Sequence, residues 1–156
     1  MSNTLNILCF SWQNIVPDTE FCIILPGDGI PEWIRHQMTG SSVTIELPPD
    51  WYDGNFLGFA VCLVFEGKMR CFPGEISCQL NNFAFYYTYW SVYPEYEFLG
   101  PDHVWLAYQH RAVIDICHPE EWSHITVSFE VTRHAAPHVV RKCGIRLMYA
   151  HDYEKK

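Results

Sequence analysis

Short apolar runs, separated by clusters of Pro, Gly, Asp and Asn, dominate the chain from residue 21 onwards. In Ser42–Leu47 and His124–Thr132 apolar and polar residues alternate, which is typical of a strand with one face in water. Leu57–Phe65 is apolar almost throughout, which favours a central strand covered on both sides. The eight runs that predict strands are Phe21–Leu25, Ser42–Leu47, Leu57–Phe65, Ile76–Leu80, Phe83–Trp90, His103–Gln109, His124–Thr132 and Val140–Tyr149.

Helical patterns are almost absent from the chain. Pro31 is well placed as the first residue of a helix, so one short helix is predicted near residues 31–37. About eight short strands with turn residues between them predict an all-β fold, an antiparallel two-sheet β-sandwich of jelly-roll or Ig-like type.

Three segments follow from these patterns. Residues 1–20 contain Leu5, Ile7, Leu8, Phe10 and Trp12 without strand boundaries. We interpret them as a leading segment that packs on a neighbouring domain, or on the sandwich where that neighbour is absent. Residues 21–150 form the sandwich, and the polar tail 151–156 is predicted to fray.

Composition and charge narrow the class of protein. The length of 156 residues suits one domain, and 49% apolar against 18% charged residues is too hydrophobic for disorder. A net charge of −8 disfavours nucleic acid and anionic membranes as partners, and no apolar run is long enough to span a bilayer. Seven scattered cysteines, several within apolar runs, indicate a reduced, intracellular protein.

Motifs for catalysis and metal binding do not emerge from the spacing of reactive residues. His134 and His138 are four residues apart, but Pro137 interrupts any helix that would align them. The chain has no nucleophile elbow, no phosphate-binding loop and no dinucleotide fingerprint. We therefore predict no catalytic residue, no metal and no cofactor. A zinc site built from distant strands and a hydrolase using Cys71 with a nearby His are the less favoured alternatives.

Aromatic residues and two cations supply candidate binding residues. Aromatic side chains occupy both faces of Phe83–Trp90 and continue through the segment Tyr93–Phe98. They either fill a wide core or contact a protein or a sugar, and the loop position of Tyr93–Phe98 favours contact. A second loop, between Glu66 and Gly74, carries two basic residues. The candidate binding residues are Lys68, Arg70, Tyr93, Tyr96 and Phe98.

Five blocks of sequence together resemble a known family. In order along the chain, the blocks are Leu25–Ile34, Gly40–Trp51, Phe56–Cys62, Asp102–Tyr108 and Val140–Tyr149. They resemble the C-JID (C-terminal jelly-roll and Ig-like) domain, which follows the leucine-rich repeats of plant TIR-type NLR immune receptors. The first twenty residues then resemble the exit from the last repeat.

The resemblance implies a function as well as a fold. It implies a non-catalytic domain of a cytoplasmic or nuclear receptor that contacts a pathogen effector beside the leucine-rich repeats. Effector contact then helps to release the autoinhibited receptor so that it oligomerises, while the TIR NAD hydrolase domain lies outside this chain. Because the family's contact loops vary, no recognition residue follows from the resemblance itself. A carbohydrate-binding module and a structural cap of the repeats are the alternatives.

Overall fold

The computed structural model describes residues 21–66, 68–69, 74–89, 98–99, 102–133 and 136–153. The leading segment 1–20 lies outside these residues. The strands of the described part are β1 (Phe21–Pro26), β2 (His36–Thr39), β3 (Ser42–Glu46), β4 (Phe56–Phe65), β5 (Lys68–Met69), β6 (Gly74–Leu80), β7 (Phe83–Tyr89), β8 (Phe98–Leu99), β9 (His103–His110), β10 (His124–Arg133), β11 (Ala136–His138) and β12 (Val140–Tyr149).

Two antiparallel sheets form the sandwich. The first, sheet A, has the strand order β1-β9-β4-β12-β2. The second, sheet B, has the order β11-β10-β6-β7, and β3 pairs with β10 as well. The predicted all-β, antiparallel two-sheet sandwich is confirmed, and each of the eight predicted runs is a strand. The structure adds the short strands β2, β5, β8 and β11.

Strand β4 lies at the centre of sheet A, between β9 and β12. Side chains alternate between the two faces of a strand, so Phe59, Val61 and Leu63 point into the sandwich. Ala60 and Cys62 point to the opposite face, where a second cluster of apolar side chains packs. All five are at most 1% exposed. The prediction of a strand covered on both sides is confirmed.

Sheet B has one dry face and one wet face. Val43 and Ile45 of β3 and Val127 of β10 point inward and are buried. The intervening Thr44 and Thr126 point outward, where their hydroxyl groups lie 2.9 Å apart and share a hydrogen bond. The alternating sequence of these strands therefore predicts their orientation correctly.

The predicted position of the short helix, near residues 31–37, is wrong. Residues 31–34 form a single turn, in which the amide of Ile34 donates to the carbonyl of Pro31 over 3.1 Å. His36 already begins β2, because pairing with β12 satisfies the backbone from this point on. The α-helix of the described part is instead α1 (Ala112–Asp115). No helix of the described part is long and apolar enough to cross a membrane.

The structure describes the first three residues of the segment 151–156, for which fraying is predicted. A 3-10 helix spans Ala150–Tyr153. The carboxylate of Asp152 accepts a hydrogen bond from Arg146 over 3.1 Å and one from the amide of Tyr149 over 2.8 Å. Because Arg146 and Asp152 are only 8% and 7% exposed, this ion pair fixes the end of β12.

Gly144 should not tolerate a side chain. A Cβ atom there would lie 2.7 Å from the Cγ2 atom of Ile34 and 2.9 Å from the carbonyl oxygen of His36. We expect Gly144→Ala to lower the free energy of unfolding by about 1–3 kcal/mol, measured by urea denaturation. Gly54→Ala is the control, since no atom lies within 4 Å of its Cβ position. Equal stability of both variants would contradict the packing of Ile34 on β12.

Candidate functional site

Strands β5 and β8 bring the two predicted binding loops together. They pair antiparallel, with Lys68 opposite Leu99 and Met69 opposite Phe98. The structure describes the backbone of Lys68 and Phe98 but not their side chains. The other three candidates, Arg70, Tyr93 and Tyr96, lie outside the described residues. The basic loop and the aromatic loop therefore share a base, while the five residues stay predicted contacts.

This small ladder is a separate two-stranded sheet that follows the central strand pair of sheet A along the chain. The last pair between β4 and β9 is Phe65 with His103, and the next is Lys68 with Leu99. The chain advances three residues on one strand and four on the other, so the register shifts by one residue. Both loops thus leave the sandwich from the end of its most buried strand.

Polar contacts fix the base of the two loops. The amide of Glu66 donates to the carbonyl of Val139 over 2.9 Å, and the amide of Gly27 donates to the carbonyl of Asp102 over 2.7 Å. The Nε of Arg141 donates to the Oδ2 of Asp102 over 2.6 Å. Since Arg141 is 49% exposed, this ion pair positions the chain more than it stabilises the fold.

Buried side chains pack beside these polar contacts. The ring of His103 stacks on Phe65 with 5.9 Å between centroids. Burial lowers the pKa of His103, an effect that the nearby carboxylate of Asp102 opposes. The last residue of β4 and the first residue of β9 are thus held in the dry interior.

The aromatic strand β7 divides its side chains between core and solvent. Phe83 and Phe85 pack on the interior, and Phe85 lies 6.1 Å from Phe59 between ring centroids. Ala84 and Tyr86 point outward, and Tyr86 is 65% exposed. The aromatic residues of this strand were expected either to fill the core or to contact a partner. Core filling holds for one face, and the other face exposes one tyrosine among the described side chains.

A polar cleft of about 410 Å³ lies at the opposite end of sheet A. It was not predicted, because its lining comes from separate segments that converge only in the fold. Carboxylates and cations both line it, together with aromatic rings. These residues include Arg35, His36, Glu46, Asp50, Trp51, Asp53, Arg146, Tyr149, His151 and Asp152. Arg146 and Asp152 neutralise each other as an ion pair. Glu46, Asp50 and Asp53 then make the rest of the cleft lining acidic.

Tyr149 and Trp51 hold the wall of this cleft. The hydroxyl of Tyr149 donates to the carbonyl of Trp51 over 2.7 Å. Trp51 is 2% exposed and stacks on Trp122, with ring centroids 6.2 Å apart. Burial, and then the nearby carboxylates of Asp53, Asp50 and Asp152, raise the pKa of Tyr149 to about 12.

Arg111 stabilises the segment between β3 and β4, which adjoins this cleft. Its Nη1 donates to the carbonyls of Asp53 and Phe56 over 2.7 and 3.0 Å. The guanidinium carbon lies 4.3 Å from the centre of the Tyr52 ring, and the hydroxyl of Tyr52 donates to Asp115. These contacts give Arg111 a structural role.

Three cysteines of the described part are buried in the core. Burial raises the pKa of the Cys62 and Cys78 thiols, and it raises the pKa of Cys143 to about 11. A thiol with a raised pKa is a poor nucleophile at neutral pH. The described part holds no group of three or more His, Cys, Asp or Glu residues arranged for a metal ion. The earlier candidates Cys71 and His134 lie outside it.

Comparison with known proteins points to plant disease resistance. Residues 25–154 match the family model of the C-JID domain. The chain is 28% identical to Disease resistance-like protein DSC1 from Arabidopsis thaliana, over 88% of this chain and 14% of that protein. It is 26% identical to Disease resistance protein RPP2B from the same plant, over 90% of this chain and 14% of that protein. It is 28% identical to Disease resistance protein RPV1 from Vitis rotundifolia, over 80% and 10%. The chain thus spans a small part of each relative.

The raised pKa of Tyr149 predicts a loss of stability in alkali. An unfolded tyrosine ionises near pH 10, and in the folded state Tyr149 ionises near pH 12. Between these values the unfolded state binds fewer protons, so stability is full below pH 10 and falls as pH rises towards 12. We expect a smaller fall for Tyr149→Phe, measured by urea midpoints across this range. Tyr86→Phe, at an exposed position, should behave like the unsubstituted chain; an identical fall for all three chains would refute the assignment.

Proposed function

The chain belongs to the C-JID domain family, and on this premise we propose that it is a recognition domain of an intracellular plant immune receptor of TIR-NLR type. In this proposal the domain follows the receptor's leucine-rich repeats and contacts a pathogen effector beside them. The contact helps to activate the receptor, which then oligomerises and starts defence signalling. The domain itself catalyses no reaction, and the TIR domain lies elsewhere in the receptor.

The relatives support the immune part of this proposal. Their names describe disease resistance proteins of two plant genera, Arabidopsis and Vitis. Each similarity extends over at least 80% of this chain. The domain as a whole, and not one short motif, is therefore shared with proteins of plant defence.

The pairing of β5 with β8 is the observation that carries the proposed contact surface. Lys68 in one loop and Phe98 in the other belong to the same two-stranded ladder, although they are thirty residues apart in sequence. Along the chain β5 follows β4 and β8 precedes β9, and the residues of β4 and β9 are almost fully buried. A rigid base lowers the entropy lost when loops order against a partner, which favours binding.

The residue types in these loops suit a protein partner. Tyr93, Tyr96 and Phe98 are aromatic, and aromatic side chains dominate the energy of many protein interfaces. Lys68 and Arg70 are basic residues in a chain of net charge −8. A local basic loop on an acidic domain favours an effector that presents an acidic patch beside an apolar one.

The aromatic loop can be tested by affinity capture. This chain, immobilised, is incubated with extracts of infected plant tissue, and retained proteins are identified by mass spectrometry. We expect the unsubstituted chain to retain a pathogen protein, and the Tyr93→Ala, Tyr96→Ala, Phe98→Ala triple variant to lose it. Tyr86→Ala is the matched control, because Tyr86 is an exposed tyrosine on β7, outside the two loops, and should not affect capture. Capture of host proteins alone would contradict direct effector contact. Retention of the pathogen protein by the triple variant would contradict a contact through the aromatic loop.

The basic loop makes a separate kinetic prediction, which uses the captured protein. Charge reversal by Lys68→Glu with Arg70→Glu should slow association about tenfold at low salt, because long-range attraction steers charged partners together. Added salt should reduce this difference, since it screens exposed charges. The measurement is surface plasmon resonance at several salt concentrations, with Lys142→Glu as the control on β12. An association rate that is unchanged at low salt would contradict a role for Lys68 and Arg70 in the proposed contact surface.

A further inference from the structure

The wall of the polar cleft contains a hydrogen-bond donor that the described fold leaves unused. Trp51 lines the cleft and is 2% exposed. Its indole Nε1 is buried and has no hydrogen-bond partner among the described residues. Buried polar groups without a partner cost free energy and are rare in native structures. An acceptor from outside the described part of the chain would satisfy this N–H group.

The packing of Trp51 fixes the direction of this N–H group. Its ring stacks on Trp122 with 6.2 Å between centroids, and the ring of Phe56 lies edge-on at 5.2 Å. Its backbone carbonyl accepts a hydrogen bond from the hydroxyl of Tyr149 over 2.7 Å. Because both the ring and the backbone are held, the donor is preorganised, and a ligand that supplies an acceptor loses little entropy to it.

Carboxylates gather in the same cleft. Asp50, Asp53 and Asp152 all line it. After burial, their charges are the cause that raises the pKa of Tyr149, so all three carboxylates lie near its hydroxyl. Asp152 is neutralised by Arg146. Asp50 and Asp53 form no ion pair within the described part, so the cleft carries unbalanced negative charge around Tyr149. This region is called the acidic end below.

Two of the basic residues of the lining lie away from the acidic end. Arg35 directly precedes β2, and His36 pairs with Ile145, which lies four residues before Tyr149 on β12. An extended chain advances about 3.3 Å per residue, so about 13 Å of strand separate this pair from Tyr149. The exception is His151, whose ring stacks on that of Tyr149 with 5.6 Å between centroids. The acidic end therefore keeps its negative charge for a ligand.

We propose that the acidic end of this cleft binds an arginine side chain of a partner protein. A guanidinium is always charged and presents five N–H donors, which suits the oxygens of several carboxylates at once. The backbone carbonyl of the partner supplies the acceptor that the Trp51 N–H group lacks. The cleft of about 410 Å³ has the size of a small-ligand site. A metal ion fits less well, because the described part holds no group of carboxylates and histidines arranged for one.

This site is separate from the proposed effector surface. Along the chain the basic loop follows Phe65, the last residue of β4, whereas Tyr149 pairs with Phe56, its first residue. Ten residues of strand, about 30 Å, lie between the two. The inference therefore does not rest on the proposed function. If both hold, the domain has two separate contact sites for partners of opposite charge.

A titration with two short peptides tests the site. The unsubstituted chain is labelled with ¹⁵N, its six indole N–H signals are assigned, and acetyl-Gly-Arg-Gly-amide is added stepwise. We expect the Trp51 signal to move downfield and to saturate, because a new hydrogen bond deshields the proton. The other five indole signals serve as internal controls and should stay in place. The same peptide with neutral citrulline for arginine should bind about fivefold or more weakly, since charge-assisted hydrogen bonds are lost.

A double variant removes the charge of the acidic end and keeps its shape. Asp50→Asn with Asp53→Asn leaves both side chains almost unchanged in size. The amide oxygen at position 53 can still accept the hydrogen bonds that the backbone amides of Asn55 and Phe56 donate there. We expect this variant to bind the arginine peptide about fivefold or more weakly than the unsubstituted chain does.

The matched control is Glu75→Gln with Glu130→Gln, which removes the same charge from two exposed positions on the outward face of sheet B. It should bind the arginine peptide as the unsubstituted chain does. Equal binding of the two peptides, or an equal loss in both double variants, would overturn the proposal. A Trp51 signal that stays fixed throughout the titration would also overturn it, since the cleft then holds water only. The comparison of the two peptides on the unsubstituted chain decides the matter where a variant fails to fold.

Discussion

The fold depends on burying strand β4 on both of its faces. Fully burying one Val, Leu or Phe side chain contributes about 1.5–3 kcal/mol, so a ten-residue apolar strand gains most when neither face meets water. Sheet B covers one face, which explains why its strands alternate between inward apolar and outward polar residues. The other face is covered by a second layer, which includes Ile30 and Ile34.

Both ends of the domain follow from this central strand. At one end the pairing of β4 with β9 continues into the β5–β8 ladder, from which the two loops with the predicted binding residues leave. At the other end, about 30 Å away for ten residues of strand, Phe56 pairs with Tyr149 beside the polar cleft. Contacts of Trp51 and Arg111 stabilise that end of the domain.

Sequence alone predicted the eight longer strands because each carries enough residues to show its pattern. It missed β5 and β8, since two-residue strands have no pattern and exist only through pairing across thirty residues. It placed a helix near Pro31, whose local preference gives way to the packing of Ile34 on Gly144 and the pairing of His36 with Ile145. The binding loops could be proposed from residue chemistry, but their shared base could not, and the cleft depends on segments that meet only after folding.

The most direct test of the account is a transfer of the two loops. Segments 67–73 and 90–98 are placed together in the C-JID domain of a related disease resistance protein, and defence activation is scored in leaf tissue against matched pathogen strains. If the loops on the β5–β8 ladder carry recognition, the chimaeric receptor responds to the pathogen that the receptor of this chain detects. A chimaera that accumulates normally and keeps only the recipient's response would contradict the account.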